Sequence, residues 1–577
     1  MSAETGQHPV DSRLRVVLCW HMHQPNYFDP YTGEYKLPWT YLHAIKDYVD
    51  MVAHLEREPQ AKAVVNFAPI LLEQIDDYGR QVSGYLHRSE SLRDHLLASL
   101  VTPALPIQRQ ARETLIKACL RAHHETVIKR FPPYRRLAEM ADRLVERPFE
   151  LDYLNEQFLA DLVTWYHLGW LGETVRREDA RVKRLLEKGH DFSLHDRNEL
   201  MEVIDGLLNG LLARYRRLAE RGQVELSFTP YAHPIMPLLL DLTSTHDALP
   251  DAPLPLLTEY PGGDERARWH IQRGLEVFEH HFGFRPDGCW PAEGSVSDAT
   301  LALLADCGLR WAATGENVLR NSLARPETPP EVRRCQCIHR PYLTAERRMP
   351  CFFRDDGLSD QIGFSYSSWH ADDAVANLIG HLENIAEACQ HDDDAVVSII
   401  LDGENAWEHY PENGYYFLNA LYASLAHHAR LRLVTFSDCL DDVQPTVQLP
   451  KVVAGSWVYG TFSTWIGEQD KNRGWDMLGE AKRVYDDVVA SGNVSPEALP
   501  ALERQLAVCE GSDWFWWFGD YNPGDAVSDF EQLFRVQLTT LYHMLNREPP
   551  EYLSHSFTFG GGSPAAGGTM RQGKEQF

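Results

Sequence analysis

The chain has no excess of positive charge, no paired-cysteine spacing, no long hydrophobic run and no internal repeat, and each absence excludes something. With 55 Lys and Arg against 83 Asp and Glu, the formal net charge is -28. Such a field repels polyanions, so nucleic acid is set aside as a partner. The ten cysteines are scattered, and only Cys335 and Cys337 sit close together. Without a CxxC pair they read as reduced, mostly buried thiols and not as a disulfide framework. No stretch of about 18 apolar residues exists, so no membrane span is expected. The first residues, MSAETGQHPVDSR, lack the basic stretch and apolar run of a signal peptide, and the expected location is the cytoplasm. No Gly-x-Gly-x-x-Gly follows the first strand, so nothing favours a dinucleotide site.

What is present is a long soluble chain rich in indoles. Its 577 residues suggest about two to four domains at roughly 150 residues each. Its 15 Trp suit either core packing or sugar binding, because an indole face covers the apolar face of a pyranose.

Short apolar runs at 14–19, 63–67, 223–228, 309–313, 395–401 and 432–436, with a short one entering Cys289, read as strands. Helical patterns between them imply parallel βαβ units, and about seven such units point to a barrel more than to an open sheet. Residues 90–221 are charged and helical throughout and read as an insertion. Residues 322–365 look irregular. The expected organisation is a barrel over 13–440, a helical bundle over 441–550, and a Gly-rich, disordered tail over 551–577. Oligomeric state is left open.

Four of the strands run into clusters of polar and aromatic residues. WHMHQPNY carries His21, His23 and Gln24. VELSFTPYAHP carries Glu225 and His233. CWPAEGSVS carries Trp290 and Glu293. ILDGENAWEHY carries Asp402, Glu404, Asn405, Trp407 and His409. In parallel barrels the loops at the carboxyl ends of the strands converge on one mouth, so these clusters share a cavity. Singly, each has a bland reading: a satisfied core histidine, an acidic residue at a helix start, a turn aspartate, a core indole. Asp402 is the hardest to explain that way, because a carboxylate closing the strand AVVSIIL is costly to bury without a task.

Taken together, these clusters resemble glycoside hydrolase family 57, whose five motifs occur in order between residues 21 and 520. They are HMHQP, the GQVE core extended by TPYAHP, WPAEGS, LDGENAW, and EGSDWFWWFGD with Asp513, Trp514 and Trp516. The resemblance implies an α/β fold, an incomplete TIM-like (β/α)7 barrel whose cleft is completed by a helical domain. It also implies a retaining mechanism on α-glucans, with Glu293 as nucleophile and Asp402 as general acid/base, usually without a metal, so no cofactor is expected. His21, His23, Gln24, Glu225, His233 and Glu404 would meet the sugar. Trp290 and Trp407 would form walls, and Asp513, Trp514 and Trp516 would reach in from the helical part. The motif forms look most like amylopullulanases and related amylases. Trp514 stands where family transferases carry a different residue.

Three other readings compete, one of them a non-catalytic glucan-binding protein, against which the presence of both Glu293 and Asp402 argues. A branching or disproportionating α-glucan transferase would keep every catalytic residue. A metal-dependent deacetylase or α-mannosidase-like enzyme would use His21, His23, Asp402 and His409 as ligands, but would leave the third and fifth motifs without a task.

Overall fold

A computed structural model of the chain describes residues 12–335, 337–344, 349–443, 445–562 and 569–573. Seven parallel strands close into a barrel: β1 (Leu14–Met22), β2 (Ala63–Phe67), β3 (Val224–Phe228), β4 (Gly288–Cys289), β5 (Trp311–Gly315), β6 (Pro350–Arg354) and β7 (Val396–Asp402). Each pairs with the next, and β7 returns to β1 through the register Arg15↔Val396 to His21↔Asp402. All nine residues of β1 and all seven of β7 are buried. Strands covered on both faces can be apolar nearly throughout, which is why these two were legible as runs.

Alternation sorts their side chains. One face of each strand packs outward under the helices. The other contributes Val17, Cys19, Val64, Trp311, Phe352 and Ile400 to a separate interior cluster, plugged at the bottom by Phe436 and Leu440. The interior column then continues upward into polar residues. The rungs His21↔Asn66, Asn66↔Ser227 and His21↔Asp402 set four polar residues side by side at the top of the apolar plug.

The seven strands are not the seven expected. The sixth, β6, lies inside the segment read as irregular, where Pro350 opens a run of only three apolar residues before Arg354 and no alternation marks it. Leu431–Leu433, expected as a barrel strand, pairs only with Leu14–Val16, below the point where β2 begins to pair with β1 at Cys19.

Among the helices, α1 (Pro69–Arg88), α2 (Leu194–Glu220), α3 (Gly263–Phe282) and α4 (Ala371–Ala388) flank the barrel. Between α1 and α2 the expected insertion is helical in every regular element. Asp50 ties it to the barrel by accepting from the backbone N–H groups of Glu173 at 2.7 Å and Thr174 at 2.9 Å. After residue 468 come α5 (Gln469–Ala490), α6 (Leu499–Cys509), α7 (Asp513–Trp517) and α8 (Gly524–Met544). No described helix is long and apolar enough to cross a membrane.

The described parts of the C-terminal segment, expected to be disordered, pack back on the molecule; its residues 563–568 and 574–577 lie outside the described residues. The Arg571 guanidinium lies over Trp516 at 4.4 Å, and Gly573 donates to Asp360 at 3.0 Å and accepts from Asn317 at 2.7 Å.

Candidate active site

Asp402 closes β7 and Glu293 sits on the turn after β4, so both carboxyls reach the carboxyl end of the barrel. Asp402 is held by Asn405, whose Nδ2 donates to it at 2.9 Å. The next residue is a glycine packed against Met22, whose buried side chain would have to move for a larger residue. The Gly403 N–H donates to the His21 carbonyl at 2.7 Å, and a Cβ there would stand 2.1 Å from Met22 Sδ. Glu293 adopts a left-handed backbone, φ 57°, a conformation that costs a non-glycine residue about 1 kcal/mol or more and gathers at functional sites. Its carboxylate is fixed by Trp457, whose Nε1 donates to Oε2 at 2.9 Å and whose backbone N–H donates to the Glu293 carbonyl at 3.0 Å.

The histidines form a directed chain. Asn66 spends its Nδ2 hydrogens on Ser227 at 3.0 Å, so its Oδ1 accepts from His21 Nδ1 at 2.7 Å. That assigns the proton of the His21 ring to Nδ1 and leaves Nε2 to accept from His233 Nε2 at 3.1 Å. His233 Nδ1 then accepts from the Ser512 hydroxyl at 2.8 Å. Burial, and the neighbouring imidazoles, push His21 down to about 3 and His233 well below its ordinary value, so both rings are neutral at pH 7. His233, like Glu293, has a left-handed backbone, φ 60°. His23 stacks on His233 with centroids 3.7 Å apart and shares its Nε2 with both oxygens of Asp513, at 2.9 and 3.1 Å. Thus the first residues after α6 seat directly on the barrel's histidines.

The two carboxyls are buried and feel one another. Burial, then the Asp402 charge, raises Glu293 to about 8, against the opposing hydrogen bond from Trp457. Burial raises Asp402 to about 6, opposed by Asn405, His23 and Arg354. Between those values the pair holds one proton, shared between two interacting sites. Burial, then the Asp402 charge, pushes Glu404 beside them well above the usual carboxylate range.

A cavity of about 440 Å³ joins these groups. His21, His23, Gln24, His233, Glu293, Asp402, Glu404, Asp513 and Trp516 all line it. Five expected residues do not belong there. Glu225 is on the interior face of β3 but two residues below Ser227, roughly 7 Å toward the barrel floor. There it accepts from Trp311 Nε1 at 2.7 Å and from Ser437. GQVE marks the start of a strand, and only its far end reaches the mouth. Trp290 is fully buried beneath Glu293, edge-on to Trp457. Trp407 donates to the Gly403 carbonyl at 3.0 Å and packs on Trp20 outside the barrel. Trp514 donates to the Val508 carbonyl at 2.9 Å and packs on Phe534. His409 sits on the surface against His123 and cannot join His21, His23 and Asp402.

The indoles that do line the cavity are Trp39, Trp170, Trp516 and Trp517, joined by Arg121 and His123 of the insertion. Sequence reasoning missed Trp457 as well. Its one signal was a tryptophan between glycines, in AGSWVYG, and nothing local tied it to Glu293.

A metal could be offered His23, His233 and Asp513, whose ligand atoms lie within 4.8 Å of one another. The fit is poor. Stacked imidazoles direct their in-plane lone pairs alongside each other and not at one point, whereas zinc requires convergence. His233 also has both ring nitrogens committed to Ser512 and His21.

The family model described as Glycosyl hydrolase family 57 matches residues 17–451. Among solved structures, a branching enzyme from Thermococcus kodakaraensis superposes with a TM-score of 0.58 at 14% identity, covering 95% of this chain and 92% of that one. A branching enzyme from Pyrococcus horikoshii gives 0.56 at 15% identity, covering 92% and 89%. The alpha-amylase AmyC of Thermotoga maritima gives 0.53 at 15% identity, covering 94% and 96%. At these identities the likeness concerns the fold.

Proposed function

The chain belongs to glycosyl hydrolase family 57, and from that premise we propose that it is a retaining α-glucan hydrolase of the amylase or amylopullulanase kind, with Glu293 as nucleophile and Asp402 as general acid/base. The observation that carries this reading is the buried carboxyl pair on one cavity, both members raised above the usual carboxylate range. Retention needs two such groups in different states: one carboxylate to attack and one acid to protonate the leaving oxygen.

In the first step the Glu293 oxygen bonds to the anomeric carbon while Asp402 gives its proton to the departing glycosidic oxygen. In the second, Asp402 takes a proton from the incoming acceptor, whose oxygen displaces Glu293. The free site places its proton more on Glu293. A bound glycosidic oxygen, an acceptor lying against Asp402, draws the proton across, and Trp457 Nε1 stabilises the Glu293 anion that remains. The neutral histidine chain keeps its rings in fixed tautomers. His23 Nδ1 and Glu404 Oε2, buried and without a partner among the described residues, are free to bind sugar hydroxyls.

Maltoheptaose, pullulan and glycogen, incubated with wild type and with Glu293→Gln, test the reading by chromatography of the products. New reducing ends and shorter chains from wild type alone support hydrolysis, and products from pullulan would extend it to α-1,6 bonds. Redistribution into longer and shorter chains without new reducing ends makes the enzyme a transferase on the same residues. No change on any α-glucan overturns the substrate assignment.

A further inference from the structure

Away from the mouth, beside β6 and the start of β7, three ligands from two separate segments converge. Cys337 and His339 lie on the loop leading to the Tyr342–Thr344 strand, and Cys389 is the residue that caps the C-terminus of α4. Their ligand atoms all lie within 4.8 Å of one another. We propose that Cys337, His339 and Cys389 form a structural metal site for a tetrahedral divalent ion of the zinc class, with a solvent molecule as fourth ligand.

The chemistry of the donors fits. Two thiolates and an imidazole are the soft set that such an ion selects, and two thiolates neutralise its charge. His339 carries the outer partner expected of a metal-bound imidazole. Its Nε2 lies 2.9 Å from Asp355 Oδ2, which fixes the ring and leaves Nδ1 on the side of Cys337. The ligand-bearing backbone is held in advance: Val396 N–H donates to the His339 carbonyl at 3.0 Å, Tyr342 Oη to the Cys337 carbonyl at 2.7 Å, and Arg340 pairs with Asp392 at 3.1 Å. Cys337 and Cys389 are also unlike most cysteines of the chain. Cys19, Cys119, Cys289, Cys351, Cys439 and Cys509 are buried, whereas these two, like Cys307, are partly exposed. An ion there would clamp the end of α4, the 337–344 segment and the turn after β6 to one point.

The test uses full-length, reduced protein loaded with Zn²⁺ and, separately, with Co²⁺, then dialysed. Elemental analysis should find one tightly held ion per chain, and the cobalt form should show thiolate-to-cobalt charge-transfer absorption and tetrahedral visible bands. Cys337→Ser and Cys389→Ser should each lose both signatures, and Asp355→Asn should weaken binding by about 10- to 100-fold. His23→Ala should keep the ion, which separates this site from the cavity. Chelator-stripped wild type should melt at a lower temperature than the loaded form, a readout that depends on no variant folding. Failure of the reduced wild type to retain any metal overturns the proposal. So does metal content unchanged by both serine variants, or a Cys337–Cys389 disulfide that persists in reductant.

Discussion

Glu293 and Asp402 can be told apart by what each leaves behind when removed. In Glu293→Ala with an activated α-glucosyl fluoride and azide, the anion enters the space of the lost carboxylate, and the product should be the β-azide. In Asp402→Ala the covalent intermediate still forms, and azide needs no base to attack it, so the product should be the α-azide. NMR of the anomeric proton reads both, and the opposite assignment would exchange the two roles. General acid catalysis contributes about 10²–10⁴-fold, so Asp402→Asn should lose activity by that factor on natural glucans and far less on substrates with good leaving groups. The pair also sets the pH range. Below about 6 both carboxyls are protonated and no nucleophile exists; above about 8 both are ionised and no acid remains. A bell-shaped kcat/KM profile with limbs near those values is expected, and an optimum flat to pH 10 would contradict it.

At the scale of elements, the decisive one is the short helix α7 with the serine before it. Ser512 is the terminal donor of the chain Ser512–His233–His21–Asn66, and its backbone N–H also donates to the His233 carbonyl at 2.9 Å. The side-chain link can be cut while the backbone link remains. Ser512→Ala leaves a buried imidazole nitrogen unpaired, worth about 1–3 kcal/mol. If the cost falls on the catalytic arrangement, kcat/KM drops by about 10- to 100-fold with the melting temperature little changed, and Ser512→Thr restores it. A lower melting temperature with unaltered kinetics would make the chain merely structural.

At the scale of the molecule, the helices after residue 468 are fastened by a buried charge. Glu510, at the end of α6, accepts from Arg266 at 2.8 Å, His270 at 2.8 Å and Tyr260 at 2.6 Å, all from the barrel side. The Arg266 charge, with the His270 hydrogen bond, outweighs burial and holds Glu510 down at about 2. Its folded value lies below the unfolded carboxylate value of about 4.3, so its stabilisation is fully present above that pH and lost as pH falls toward about 2. Glu510→Gln strands the Arg266 charge and should cost about 3–5 kcal/mol, measured by denaturant unfolding at pH 7. The difference from wild type should shrink below pH 4.

The sequence by itself determined the parts whose signal is local. Buried parallel strands are continuous apolar runs, so β1 and β7 could be read, and the polar residues at the carboxyl ends of such runs, His21, His23 and Asp402, together pointed to the mouth. Periodic helices, the insertion among them, were legible for the same reason. Tertiary structure decided what depends on depth and on partners far along the chain. Glu225 and Ser227 share a strand face and differ only in height, which residue type does not record. Trp290, Trp407, Trp457 and Trp516 are the same side chain, and only packing makes two of them core, one a donor to Glu293 and one a wall. β6 escaped notice because a five-residue strand beginning with proline and ending in arginine has too few apolar positions to show a period; closure of the barrel, and not its own composition, makes it a strand.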